Sequence, residues 1–291
     1  MKRNNYFYIA SYPKSGNTWV RIFIKYLLLY EGKSEDKYEY IKNNFRLNRD
    51  LNTGDILSSR DWIDDNLGID SSDLDINEIS LIRSKIGPQR LIFSDNFSFH
   101  KVHDAFCLKN GKQLVCSEKC SGAIYIIRHP FDIVISLSNF FKWNIEKSIH
   151  FILDNNAYLA SSSKRISSQV PQFLGNWSYH VNSWTNQNKI PLLLIKYENL
   201  HNYPITTFTE ITKFLGIRDD QKLIKKAVES SSFKNLKSKE IKEEGFYESP
   251  KNSISFFYKG KIGLGEEKLT QNQQELLLKG FDDMLKKYYP T

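Results

Sequence analysis

The sequence has few cysteines, no long apolar run and no excess of acid. Three cysteines among 291 residues (Cys107, Cys116 and Cys120) are too few, and odd in number, for a disulfide framework, which points to a reducing compartment. Cys116 and Cys120 have the spacing of half a zinc site, but no second pair accompanies them, so plain thiols and no metal are expected. No uninterrupted apolar stretch approaches the roughly 18 residues of a membrane span; even residues 20–30 are broken by Arg21 and Lys25. Residues 1–11 leave no room for the charged, apolar and small-residue regions of a cleavable signal, and they read as a buried strand. These absences predict a cytoplasmic protein without stable membrane association. No internal repeat, low-complexity tract or linker divides the chain, so one domain over residues 1–291 is expected.

What is present is an ordinary globular composition, 40% hydrophobic and 25% charged. Lys and Arg number 41 against 33 Asp and Glu, and the net charge of +8 favours anionic ligands: a multiply phosphorylated nucleotide, a nucleic acid or an anionic membrane. The basic residues are dispersed among acids and no nucleic-acid motif occurs, so no nucleic-acid partner is expected.

Three apolar strands each lead into a helical pattern. Residues 6–11 pass through a Pro/Ser/Gly turn into residues 18–30, where Thr18, Arg21 and Lys25 share one stripe and nearly all other positions are apolar. Residues 123–127 lead through Arg128, His129 and Pro130 into residues 131–141, with Pro130 suited to a first helical turn. Residues 191–196 precede a helix over 205–215 that closes at Gly216. Alternation of this kind predicts an α/β fold, a P-loop-like parallel sheet sandwiched by helices. The polar stretches 33–75, 142–172 and 237–255 read as insertions around a site, and the tail 270–289 carries a stripe of Leu277, Phe281, Met284 and Tyr288 that packs on the core.

The turn after the first strand, Tyr12-Pro13-Lys14-Ser15-Gly16-Asn17-Thr18-Trp19, has the chemistry of an anion cradle. Unpaired amides at a helix start converge on one point, and the helix dipole favours negative charge there. Gly16 permits close backbone approach, Lys14 supplies a point charge, Ser15, Asn17 and Thr18 supply hydrogen bonds, and Trp19 offers a flat face to a base. The nucleoside-triphosphatase loop places Gly-Lys before a Ser or Thr that holds Mg²⁺; here the Lys precedes the Gly, so a kinase reading loses its metal.

These eight residues closely resemble the 5′-phosphosulfate loop of the sulfotransferases that use 3′-phosphoadenosine 5′-phosphosulfate (PAPS). The resemblance implies further site residues. Arg128 at a strand end and Ser136 eight positions later match the 3′-phosphate pair, and bidentate Arg suits that anion. Tyr197, Ser231 and Phe233 match positions that line the adenine. Lys259 and Gly260 match the carboxyl-terminal signature Arg-Lys-Gly-x-x-Gly-Asp-Trp, whose Arg is replaced here by Tyr258 and whose Asp-Trp is replaced by Leu264 and Gly265; Lys261 stands nearby as a substitute cation. The matching anchors lie at 12–21, 101–136, 192–216, 231–233 and 257–263.

The family places its catalytic base in a Lys-Thr-His segment, and Lys101-Val102-His103 is the counterpart, making His103 the candidate base beside Lys14. Asp95 is a rival that lengthens the gap to Arg128 and leaves the Lys101/His103 pair unexplained; His100 is a second, without a family counterpart. The resemblance implies in-line transfer of a sulfuryl group from PAPS to a hydroxyl, amine or guanidine-type nitrogen of a small-molecule acceptor, leaving adenosine 3′,5′-bisphosphate and needing no metal. A P-loop small-molecule kinase and a catalytically silent nucleotide- or nucleic-acid-binding protein are the alternatives. Acceptor identity and oligomeric state stay open.

Overall fold

The computed structural model describes residues 5–51, 56–90, 97–109, 111–161, 167–250 and 255–290. Its centre is a parallel sheet of four strands: β1 (Asn5–Ser11), β2 (Phe97–Val102), β3 (Cys120–Ile127) and β4 (Leu192–Lys196), in the spatial order β2-β1-β3-β4. Ile9 is in register with Lys101 of β2 on one side and Ile124 of β3 on the other, and Tyr125 of β3 with Leu194 of β4.

Because neighbouring side chains on a strand point to opposite faces, the sheet divides the apolar residues into two cores. Tyr6, Tyr8, Ala10, Ala123, Tyr125 and Ile127 enter one, with Trp177, Val181 and Trp184 of the helix Trp177–Thr185 and Leu277, Phe281 and Met284 of the helix Gln271–Tyr288. Phe7, Ile9, Ile124 and Ile126 enter the other, with the helices Asn17–Tyr30, Pro204–Phe214 and Gln221–Ser230. Burial on both faces is why β1 and β3 read as continuous apolar runs.

The three strand–helix units and the tail helix stand where the sequence places them. Pro130 opens the helix Pro130–Phe141, Gly216 ends the helix before it with φ +68°, and Thr270 and Gln273 form a reciprocal cap on the tail helix. The sequence pattern missed β2. It is an edge strand and its run Ser98-Phe99-His100-Lys101-Val102 contains a His and a Lys, which dilutes the strand signal. Arg21, expected on a polar stripe, is buried.

The chain passes from β1 to β2 on one side and then crosses back past β1 to β3 on the other, so the direction of the connections reverses. Such a reversal opens a crevice at the carboxyl ends of the strands, and the segments after β1, β2, β3 and β4 all emerge there. Among the described residues no helix is long and apolar enough to cross a membrane, and no group of three or more His, Cys, Asp or Glu side chains gathers as a metal site.

Candidate active site

A cavity of about 1370 Å³ occupies this crevice. Lys14, Gly16, Asn17, Thr18 and Trp19 line it from the loop after β1, His103 from the end of β2, Arg128 and Ser136 from the β3 unit, Tyr197 from β4, and Phe233, Lys259 and Gly260 from the carboxyl-terminal third. Ser15 and Ser231, the two remaining candidates, are fully buried; the Ser231 hydroxyl donates to Val228 O at 3.3 Å. Ser59 and Asp61, Trp143 and Phe151, and Tyr247 and Glu248 also line the cavity, so each of the three polar insertions contributes to its wall.

Gly16 precedes the first helix with φ +102°, and a Cβ there would stand 2.6 Å from the Tyr197 ring, so only glycine lets the loop approach that aromatic wall. The Asn17 amide is turned back to β1, donating to Ile9 O at 2.7 Å and to Ser11 Oγ at 3.4 Å. It ties the helix start to the strand. Lys14 and Thr18 line the cavity.

Arg128 links the loop after β1 to the segment around Lys261. One of its terminal nitrogens donates to Lys14 O at 3.0 Å and the other to Lys261 O at 3.1 Å, and its guanidinium lies 4.1 Å from the centre of the Tyr197 ring. Asp132, one turn further on, accepts the amides of Gly263 at 3.1 Å and Gly265 at 2.9 Å. A Cβ at 265 would lie 2.4 Å from the Phe131 carbonyl carbon. Gly265→Ala is expected to lower stability by about 1–3 kcal/mol through overpacking, read as a fall in the urea midpoint at constant slope.

His103 is fixed from behind. Its carbonyl accepts His180 Nε2–H at 2.9 Å, while the next residue, Asp104, is clasped by Arg83 at 3.0 and 2.6 Å and receives the Phe173 amide at 3.1 Å. The imidazole Nδ1 donates to Ser11 O at 2.8 Å, since a carbonyl only accepts. That bond selects the tautomer with the lone pair on Nε2. Burial, followed by the positive charge of Lys101, holds the His103 pKa well below the usual value for histidine, so the ring is neutral at neutral pH. His100 instead packs edge-on against Tyr6 and Tyr8 in the core, and Asp95 lies outside the described residues.

Sequence reasoning missed an ion cluster beneath these groups. Glu248, from the 237–255 stretch, bonds Arg21 and Lys101, each at 2.7 Å, and all three are largely buried. Although burial pushes the Glu248 carboxyl up, Arg21 and Lys101 hold it far below the usual range. Nothing local in the string Tyr247-Glu248-Ser249 marks this role, because its partners lie 227 and 147 residues away. His201 was also missed. It meets Trp19 and Tyr197 edge-on at 4.8 and 4.9 Å on the cavity wall.

The family model for the sulfotransferase domain matches residues 5–289. Cytosolic sulfotransferase 5 of Arabidopsis thaliana is 23% identical over 278 residues, covering 91% of this chain and 75% of the relative; human sulfotransferase 1E1 is 22% identical, covering 79% and 65%. Among solved structures, mouse sulfotransferase SULT7A1 complexed with PAP superposes with a TM-score of 0.60 at 20% identity, covering 98% of this chain and 85% of that one. Retinol dehydratase in complex with androsterone and inactive cofactor PAP gives 0.58 at 14% identity, covering 98% and 82%. With the family model spanning nearly its whole length and its four-stranded parallel sheet shared with these structures, the chain belongs to the sulfotransferase domain family.

Proposed function

We propose that the protein transfers a sulfuryl group from PAPS to a hydroxyl or amine of a small-molecule acceptor, with Lys14 and His103 as its catalytic residues. The observation that carries this reading is that Lys14 and His103 line one cavity while the His103–Ser11 bond leaves a lone pair on Nε2. The PAP bound in the neighbouring mouse structure supports the choice of donor.

The nucleotide half of the cavity fits an adenosine bisphosphate. Trp19, Tyr197 and Phe233 supply aromatic faces and edges, and the Trp19 Nε1, Arg128 Nε and His201 Nε2 atoms are buried without a hydrogen-bond partner among the described residues. Buried polar groups left unpaired are costly, and a polar ligand relieves them. Gly260, with φ +58°, brings its backbone so close to Phe233 that a Cβ would stand 2.1 Å from the ring.

PAPS supplies an activated sulfuryl group whose departing oxygen belongs to a phosphate. Lys14 and the loop amides hold that phosphate end and stabilise the charge that develops there. Arg128, Ser136, Lys259 and Gly260 hold the 3′-phosphate, and Lys261 takes the place of the signature Arg, since Tyr258 is a 38% exposed ring bracketed by Lys259 and Lys268. His103 Nε2 accepts the acceptor's proton as the new bond to sulfur forms. The acceptor lies against Phe141, Trp143, Phe151 and Tyr158.

Incubation with PAPS and pooled alcohols, phenols and amines, read by mass spectrometry, is expected to yield an acceptor heavier by one SO₃ together with adenosine 3′,5′-bisphosphate. Thermal stabilisation by ATP with Mg²⁺, and none by adenosine 3′,5′-bisphosphate, would overturn the reading.

A further inference from the structure

Lys14 has φ +70°, a left-handed conformation uncommon for a residue with a long side chain. The backbone is held there by Arg128, which takes the Lys14 carbonyl at 3.0 Å. The side chain enters the cavity and its ammonium stops against two rings, with Nζ 3.7 Å from the Phe140 centroid and 4.3 Å from that of Phe256. Among the described residues no carboxylate forms an ion pair with it. The ring faces supply negative potential at short range.

The two rings come from distant parts of the chain and each is backed. Phe140 lies in the last turn of the helix that carries Ser136, and Phe141 packs on it edge-on at 4.9 Å. Phe256 follows the 237–255 stretch. Its amide donates to Glu240, which also accepts the Phe257 amide at 3.3 Å and the Ser255 hydroxyl at 2.7 Å. Phe246 and Phe257 pack on Phe256 at 4.8 and 5.1 Å, and Phe140 and Phe256 meet at 82° with centroids 5.8 Å apart. The result is a corner with two electron-rich walls, into which the ammonium fits.

We propose that Phe140 and Phe256 are positioning residues for the donor-side lysine: together they form an aromatic clamp that holds the Lys14 ammonium at the reacting end of the cavity before the donor binds. This rests on Lys14 acting on the donor as proposed above. The clamp solves a specific problem. Burial strips water from the ammonium and, with the nearby charges of Lys101 and Arg128, pushes its pKa down to about 7, while Glu248 and Glu240 act in the opposite direction. A lysine in that position is on the edge of losing its charge at neutral pH. Ring faces favour the charged form, and one such contact shifts an equilibrium by roughly two- to thirtyfold. A lysine loses its proton as pH rises through its pKa, so removing a ring moves that loss to lower pH.

Leucine keeps the apolar volume of Phe140 without its ring face, whereas tyrosine keeps the face. The experiment is an NMR titration of protein carrying ¹³C at lysine Cε, with the Lys14 signal assigned by its disappearance in Lys14→Arg. In Phe140→Leu the Lys14 midpoint is expected to fall by about one pH unit, a tenfold change in the protonation equilibrium. Phe256→Leu is expected to shift it in the same direction, and Phe140→Tyr to return it to the wild-type value. The alkaline limb of kcat/KM for PAPS should move in parallel. An unchanged Lys14 midpoint in whichever leucine variant retains the wild-type thermal transition would overturn the clamp and leave the rings as packing alone. If the wild-type protein transfers no sulfuryl group to any acceptor, the proposed function fails, and the Lys14 titration still decides the clamp.

Discussion

His103→Ala is expected to lower kcat by about 10²–10⁴-fold, the usual contribution of a positioned general base, while adenosine 3′,5′-bisphosphate binds as it does to the wild type. The separation follows from the geometry. His103 is placed by the Ser11 carbonyl, His180 and the Asp104–Arg83 pair, and its side chain makes no hydrogen bond to Lys14, Arg128 or Lys259 among the described residues. Isothermal titration with adenosine 3′,5′-bisphosphate and steady-state kinetics with PAPS test the two halves of the statement. Wild-type turnover by the alanine variant would remove His103 from the mechanism. The pH profile carries a second check. A base is active once deprotonated, and burial together with Lys101 holds the His103 pKa well below the ordinary 6.5. The acid limb of kcat/KM should therefore fall well below pH 6.5, with activity undiminished between pH 6.5 and neutrality on this side of the profile.

Lys14→Ala is expected to lower kcat/KM for PAPS by about 10³-fold and also to weaken binding of adenosine 3′,5′-bisphosphate, because in the proposed mechanism this cation faces the 5′ end in both ground and transition states. A large loss in kcat with unchanged nucleotide affinity would instead confine Lys14 to the transition state. Here the sign of the pH dependence is opposite to that of His103. Lys14 acts as a cation, and burial with its cationic neighbours Lys101 and Arg128 brings its pKa to about 7 in the unliganded protein. The alkaline limb of kcat/KM should then begin near pH 7. An anionic donor raises the pKa of the ammonium beside it, so kcat at saturating PAPS should persist to higher pH. Coincident alkaline limbs in kcat and kcat/KM would contradict this account.

Much of the candidate cavity lining was legible because its residues sit in strings whose local physics is self-contained. The loop from Tyr12 to Trp19 needs only a strand before it, a helix after it and a glycine at the turn. Arg128 and Ser136 lie eight positions apart on a strand end and the helix that follows. Elsewhere the sequence was silent, or the structure adds contacts that no local string shows. Asn17 reads as a ligand for an anion, but its amide is committed to Ile9 O and Ser11. Arg21 reads as one member of a polar stripe, and nothing local shows that it is buried against Glu248. Ser231 reads as part of the adenine wall, while its hydroxyl is turned to Val228. β2 escaped the strand pattern because the alternation of Phe97, Ser98, Phe99 and His100 runs for only four residues before Lys101 breaks it.

The family, the parallel α/β class and the strand–loop–helix cradle at Lys14 were determined by the sequence alone, because each depends on residues within about one supersecondary unit. Only the tertiary structure decided the rest. The His103 tautomer depends on the Ser11 carbonyl, 92 residues away in sequence. The surroundings of Lys14 depend on Phe140 and Phe256, and those of Lys101 on Glu248. Protonation states are set by burial and by charges a few ångströms away in space. Those neighbours are chosen by the order of strands in the sheet and by the return of the 237–255 stretch to its carboxyl edge, which no local pattern of residues encodes.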